Sequence, residues 1–419
     1  MTLPVYETVL ENGLKVLLLE NHKTPIVSFQ IWYRVGSRNE HLGKTGISHL
    51  TEHLMFRGTK KYGPKEFSRL VRRNGGNENA FTSQDYTAYF ENIARDRLEI
   101  LLDLESDRMI NLDVDRQAFQ MERDVVMEER RLRTEDDPVS SLFEEMDSMA
   151  FRCHPYMWPV IGWMGDISRI TYENFMEYYR IHYKPNRATL IVVGSFEPDD
   201  LLPAVRKYFG PISSVPYSEP VICLEPPQRG EKRFYLEREA QLAYTLMGYH
   251  VPNFRNEDAF ALEILSLIIG HGKSSRLYCR LVREEQLGLD VNVNYPRLAH
   301  DPNLLHILVP IMPGKKADAV EEVIDTELER IKLNGATEKE LQKARNMAEA
   351  AFVFHQDSFF HQGMLLGVHE TVGDWRDLYA YLAGIEKVTA EDVKRVAGEH
   401  LRKDRRIVGT LVPLPPKAH

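Results

Sequence analysis

Apolar residues along this chain follow two different periods. Short runs rich in Val, Ile and Leu at Lys15 to Leu19, Ile26 to Val35, Thr189 to Gly194 and Tyr235 to Tyr249 predict strands. Other stretches repeat at helical spacing. In one, Ile47, Leu50, Leu54 and Met55 share a face, and Gly46 and Gly58 punctuate its start and stop. In a second, Asp115 to Arg133, the residues Phe119, Glu122, Val125, Val126, Glu129 and Leu132 fall close to one face. Strands followed by amphipathic helices in this order predict an α+β sandwich, a sheet with helices on one face.

The pattern occurs twice. Ile170-Thr171-x-Glu173-x-Phe175 with His182 and Arg187 recurs as Val388-Thr389-x-Glu391-x-Val393 with His400 and Arg405, at a constant offset of 218 residues. The Pro-containing stretch 215–230, VPYSEPVICLEPPQRG, is the expected linker between a first unit, 1–214, and a second, 231–419. With 419 residues, 43% of them hydrophobic, the chain has enough material for two sizeable cores, and no apolar run approaches the roughly 20 residues that cross a bilayer.

Chemistry enters with His49-Leu50-Thr51-Glu52-His53, an H-x-x-E-H on the first of those helices. Composition alone would produce this pentapeptide roughly 0.05 times in such a chain. Residues four apart lie on one helical face, so both imidazoles can reach one ion while Glu52 stands beside them as a general base. A catalytic zinc needs a third protein ligand and an open position for water. Cys153, Cys223 and Cys279 stand singly, which leaves a carboxylate as the better candidate. Glu129 is that candidate; Glu128 is rotated about 100° away from it. Glu122, two turns before Glu129 on the same stripe, reads equally as a group in direct chemistry or as a partner for an arginine or a ligand histidine.

These residues carry a resemblance. Val35-Gly36-Ser37-Arg38-Asn39-Glu40, then GISHLTEHLMFRGT from Gly46 to Thr59, then Gly75-Gly76-x-x-Asn79-Ala80-Phe81-Thr82, then Glu122-Arg123-Asp124-Val125-Val126 through Glu129 resemble the pitrilysin family of zinc metallopeptidases, the inverzincins. The likeness is to its half-length branch, which includes the mitochondrial processing peptidases. The resemblance implies one Zn2+ per chain held by His49, His53 and Glu129, with Glu52 as the base toward the water that zinc activates. Glu122 matches the accessory glutamate of the family. The strand around Asn79, Ala80 and Phe81 is implied to pair with an extended peptide, which gives backbone recognition with little demand on side chains.

The second unit departs from the first. Setting Gly270 against Gly58 turns the His49, Glu52 and His53 positions into Ala261, Ile264 and Leu265, so only the first unit is expected to bind metal. The family also offers an arginine and, seven residues later, a tyrosine that hold the substrate backbone. Arg283 is present here, but the position seven on is Asp290, which cannot donate a hydrogen bond when ionised; Tyr295 is the nearest substitute. The implied activity is a zinc endopeptidase that cleaves peptides or unfolded segments in a closed chamber, which the metal-free unit completes. The alternative is a metal-bearing subunit of a heteromeric processing complex, inactive without its partner, or a non-catalytic structural relative. A half-length chain implies a homodimer, or a heterodimer with a related metal-free subunit.

Charge narrows the field further. A net charge of -9 with no basic patch argues against a nucleic-acid protein, and the arginines from Glu128 to Arg133 are interleaved with acids. The start MTLPVYETVLENG has no basic and apolar export pattern, so a cytoplasmic protein is the default and a periplasmic one the expectation if a leader has been trimmed. His154-Pro155-Tyr156 reads as a turn, Trp158 and Trp163 as core, and Ala351 to His361 as packing, with no chemistry assigned to His355 or His361.

Overall fold

The computed structural model describes residues 4–216 and 223–414. They form two compact units. The first gathers residues 4–130, 158–216 and 354–379; the second gathers 131–157, 223–353 and 380–414. Each unit therefore takes one segment from the other half of the chain, an exchange that the contiguous halves 1–214 and 231–419 leave out. Residues 217–222 of the expected linker lie outside the described residues.

The first unit holds six strands: β1 (Val5–Val9), β2 (Lys15–Glu20), β3 (Ile26–Tyr33), β4 (Asn77–Thr82), β5 (Thr87–Ala94) and β6 (Ala188–Gly194), in the order β1-β2-β6-β3-β5-β4. The second holds β7 (Lys232–Glu239), β8 (Tyr244–Val251), β9 (Asn292–Asn294), β10 (Asn303–Pro310) and β11 (Arg406–Leu414), in the order β7-β11-β8-β10-β9. The run Tyr235 to Tyr249 is thus two strands, because a turn at Ala240–Ala243 breaks it. Once β1 is set aside, the two sheets match strand for strand. One parallel pair, β2 with β6 or β7 with β11, is followed by three antiparallel pairings in each. The repeat is equally exact in the helices. Tyr172–His182 and Ala390–His400 both start from a threonine in a capping box, Thr171 with Asn174 and Thr389 with Asp392.

The central strands of both sheets are buried on both faces. In β3, Val27, Phe29, Ile31 and Tyr33 join the core beneath helices Leu98–Ile110, Arg116–Arg130 and Tyr172–His182. The alternate residues Ser28, Gln30 and Trp32 face the borrowed helix Phe359–Val372, where Gln30 Nε2 donates to Phe360 O at 3.0 Å. Gly363 and Gly367 allow this approach, since a Cβ on either would collide with Gln30 or Trp32. The second sheet receives the borrowed helix Pro138–Ala150, whose Leu142 and Met146 pack with Leu246, Leu304, Ile407 and Leu411. Here the small residue lies on the strand: a Cβ on Gly248 would meet Met146 Sδ at 2.9 Å. The α+β class and the duplication stand, but helices cover two faces of each sheet rather than one. Among the described residues no helix is long and apolar enough to cross a membrane.

Candidate metal centre

The H-x-x-E-H segment is a short helix, Ile47–Leu54, with Ile47, Leu50 and Leu54 buried in the core of the first unit. Its N-terminal residue Gly46 has φ 89°, and a Cβ there would collide with the carbonyl of Ile161. No side chain of its own caps the helix. Instead the buried Glu40 reaches back, and its carboxylate accepts from the backbone N–H of Gly46 and of Ser48, both at 2.8 Å. Burial pushes the Glu40 carboxyl up to about 8 against these bonds.

The helix turns His49 and His53 to one side, their rings 4.7 Å apart between centroids. Glu129 comes from helix Arg116–Arg130, with Oε2 3.3 Å from His53 Nε2 and 3.9 Å from His49 Nε2. One donor atom from each of the three residues lies within 4.8 Å of the others. A tetrahedral zinc with bonds of 2.0–2.1 Å separates its donors by about 3.3 Å, so this nitrogen, nitrogen and carboxylate set fits zinc with a small closing movement. On the glutamate helix, Phe119, Glu122 and Val126 are buried and Glu128 is exposed. Val125 and Leu132, expected on the inward stripe, are 48% and 62% exposed: the helix turns Val125 outward, and Leu132 falls in a wider π turn, Arg131–Glu135.

Glu122 connects two neighbours. Its Oε1 meets His53 Nδ1 at 2.9 Å, and its other oxygen accepts from Arg57. Burial works to raise this carboxyl, but the bonds from His53 and Arg57 hold it below the usual carboxylate range. Glu122 thus meets both an arginine and a histidine. It fixes which ring nitrogen of His53 is left to face Glu129.

Glu52 has a different setting. Its Oε2 accepts from the Thr82 hydroxyl at 2.5 Å, a neutral partner at the end of β4. Burial pushes the Glu52 carboxyl up, against the pull of Thr82. Thr82 carries no signal in the sequence beyond its place in the quoted motif. It is 30 positions from Glu52, and hydroxyl residues are too common to single out. Through Thr82, Glu52 is tied to β4, an edge strand of its sheet. On β4, Asn79 is exposed and Ala80 half-buried, while Phe81 packs edge-on against Trp32, centroids 5.6 Å apart.

The second unit carries no counterpart of this cluster at the matching helix, Ala259–Gly270. Ala261, Ile264 and Leu265 are buried there among apolar neighbours. Arg283 is exposed on the turn Cys279–Glu284 and lies 5.8 Å from the Tyr278 ring. The Asp290 carboxylate accepts from the backbone of Val291 at 2.8 Å, and the Tyr295 hydroxyl donates to Pro252 O at 2.7 Å. Two further His and carboxylate groups occur among the described residues. Glu20, His22 and Glu197 are all exposed, and in the other, Asp258 is already neutralised by Arg395 at 2.6 Å. His355 and His361 belong to neither group.

Comparison with known proteins agrees with this architecture. Residues 15–162 match Insulinase (Peptidase family M16), and residues 169–348 match the Peptidase M16 inactive domain. A Helicobacter pylori protein named zinc protease PqqE is 32% identical over 98% of this chain and 94% of its own length. An Arabidopsis thaliana protein named probable mitochondrial-processing peptidase subunit beta is 24% identical over 97% of this chain and 79% of its own. The crystal structure of a protease from Helicobacter pylori superposes with a TM-score of 0.94 at 31% identity, covering 99% of this chain and all of that one. With a related sequence along nearly its whole length and a shared two-sheet fold, the chain belongs to peptidase family M16.

Proposed function

We propose that this chain is a zinc-dependent endopeptidase that hydrolyses extended peptides or unfolded segments, with one zinc held by His49, His53 and Glu129. The observation that carries this reading is the pairing of roles at one helix. Two imidazoles and a remote carboxylate converge, and beside them Glu52 is bonded to a neutral hydroxyl rather than to a cation. Zinc bound there would polarise the scissile carbonyl and bring the pKa of water to about 7.

The remaining steps belong to the chain. Glu52 takes a proton from the attacking water and returns it to the leaving amine, a task suited to a carboxyl that burial has already raised. Thr82 holds one of its oxygens, which aims the other. Glu122 orients His53 and carries the charge of Arg57. The free edge of β4, at Asn79, Ala80 and Phe81, takes the substrate as an added strand, so recognition falls on the backbone.

A second reading concerns what completes the site. The tyrosine of the substrate clamp is replaced by Asp290, and the Tyr295 hydroxyl is occupied by Pro252. This favours a chain that works with a metal-free relative, which contributes an arginine and a tyrosine; a homodimer is the alternative pairing, but its second copy brings the same Asp290. The decisive experiment is hydrolysis of a quenched fluorogenic peptide library by the zinc-loaded chain and by Glu52→Gln. We expect the variant to keep its zinc and to lose at least about 100-fold in turnover. Stoichiometric zinc with no turnover in the parent would move the assignment to the paired form, and loss of zinc from the variant would overturn the assigned role of Glu52.

A further inference from the structure

The chemistry above leaves the cysteines unused, and two of them meet. Cys153 and Cys223, 70 positions apart, hold their Sγ atoms 3.2 Å from each other in the second unit. The meeting is built into the backbone. Glu225 accepts from the N–H groups of Arg152 at 2.8 Å, Cys153 at 3.1 Å and His154 at 3.1 Å. Burial works to raise that carboxyl, yet the three backbone bonds hold it below its usual range, so the clasp is ionised at neutral pH. His154 is itself buried and anchored to Asp301 at 3.1 Å. Cys153 is exposed and Cys223 half-buried, so a small oxidant has access to the pair.

We propose that Cys153 and Cys223 are a modification site: a dithiol that reacts with a small-molecule disulfide and closes into an intramolecular disulfide bond. The sulfurs need to approach by only about 1.2 Å to reach the bond length of about 2.0 Å, a shift that side-chain rotation supplies. With oxidised glutathione, one protein thiolate attacks a glutathione sulfur, which gives a mixed disulfide and expels one glutathione thiolate. The second protein thiolate then attacks the bound protein sulfur and expels the other. The two protein thiols give up two electrons and two protons, and the oxidant gains both as two thiols. Contact with Cys223, burial and the nearby Glu225 push the Cys153 thiol up to about 11, so exchange is slow and is driven by excess oxidant.

The position gives the bond a consequence. After Met157 the chain leaves the second unit to build part of the first, and it is back in the second at Cys223. A disulfide here ties the departure to the return and removes freedom from the unfolded chain.

The test treats the full chain with excess oxidised glutathione, followed by thiol counting, intact mass, peptide mapping and thermal melting. We expect two of the three thiols to disappear with a mass loss of two hydrogens and a cross-linked peptide joining Cys153 to Cys223. The melting temperature should rise by about 5 °C and fall back on addition of dithiothreitol. Cys279→Ser should behave like the parent, and Cys153→Ser should show neither cross-link nor rise. A stable glutathione adduct on Cys153, or three thiols intact under excess oxidant, would overturn the proposal.

Discussion

Glu122 never needs to touch substrate to matter, because it sets the state of two other side chains. Its carboxylate, held ionised by His53 and Arg57, fixes the ring of His53 and balances a half-buried guanidinium. Replacing Glu122 with Gln removes the charge and offers one acceptor where there were two. Zinc affinity should fall by about 10- to 100-fold, as measured by competition with a chelating dye, while the secondary structure stays intact. An unchanged affinity would place Glu122 outside the tuning of the site. At this scale much was legible in the sequence. Helical geometry separates Glu129 from Glu128, and the structure places Glu129 beside both histidines and leaves Glu128 exposed. What escaped were contacts between residues distant in sequence. Thr82 reaches Glu52 through the pairing of β4, and Glu40 caps a helix from outside it. Val125 and Leu132 are apolar yet exposed, because burial depends on what stands opposite a side chain and not on its character alone.

Elements repeat more faithfully than residues do. The helix Glu338–Phe354 in the second unit begins with a further Thr-x-x-Glu box, in which Glu340 accepts from the Thr337 backbone at 2.8 Å and also grips Arg276 through two bonds, at 2.7 and 2.8 Å. Burial works to raise this carboxyl, but Arg276 and Thr337 lower it from 4.5 to about 2. A depressed pKa stabilises the fold at any pH above the unfolded value, so this contribution is complete above about 4.5 and is lost as the pH falls toward 2. The parent should melt several degrees above Glu340→Gln at pH 6, and the gap should narrow steadily as titration proceeds from pH 5 to pH 2.5. A gap independent of pH would show that packing, not charge, is what Glu340 contributes. The repeated Thr171 and Thr389 motif, read as a duplication, marks two capping boxes in the structure, and the runs that form β2, β3 and β6 were readable because they rest on local pattern. The division of Tyr235 to Tyr249 was not, since apolar periodicity runs through the turn that separates β7 from β8.

The whole molecule is where sequence reading fell shortest. An offset of 218 residues reveals two copies, but nothing in that periodicity says that each copy lends a helix to the other sheet. The clue lay in β3, whose near-continuous burial requires a cover on both faces. That cover depends on small residues at the contact. Gly367→Ala drives a methyl into Trp32 and should cost about 1–3 kcal/mol, read as a lower urea midpoint for the first unit. An unchanged midpoint would mean that the helix shifts freely to make room.

The loan also imposes a timetable on synthesis. The strands of the first sheet are complete once Gly194 has emerged, but the helix that covers Gln30 and Trp32 ends at Val372, roughly 180 residues later. At about 5–20 residues per second the ribosome takes roughly 10–40 s to deliver it. During that interval the nascent sheet shows an uncovered face, a surface suited to a holding chaperone, and the half that carries His49 and His53 waits on the other half to finish its own fold.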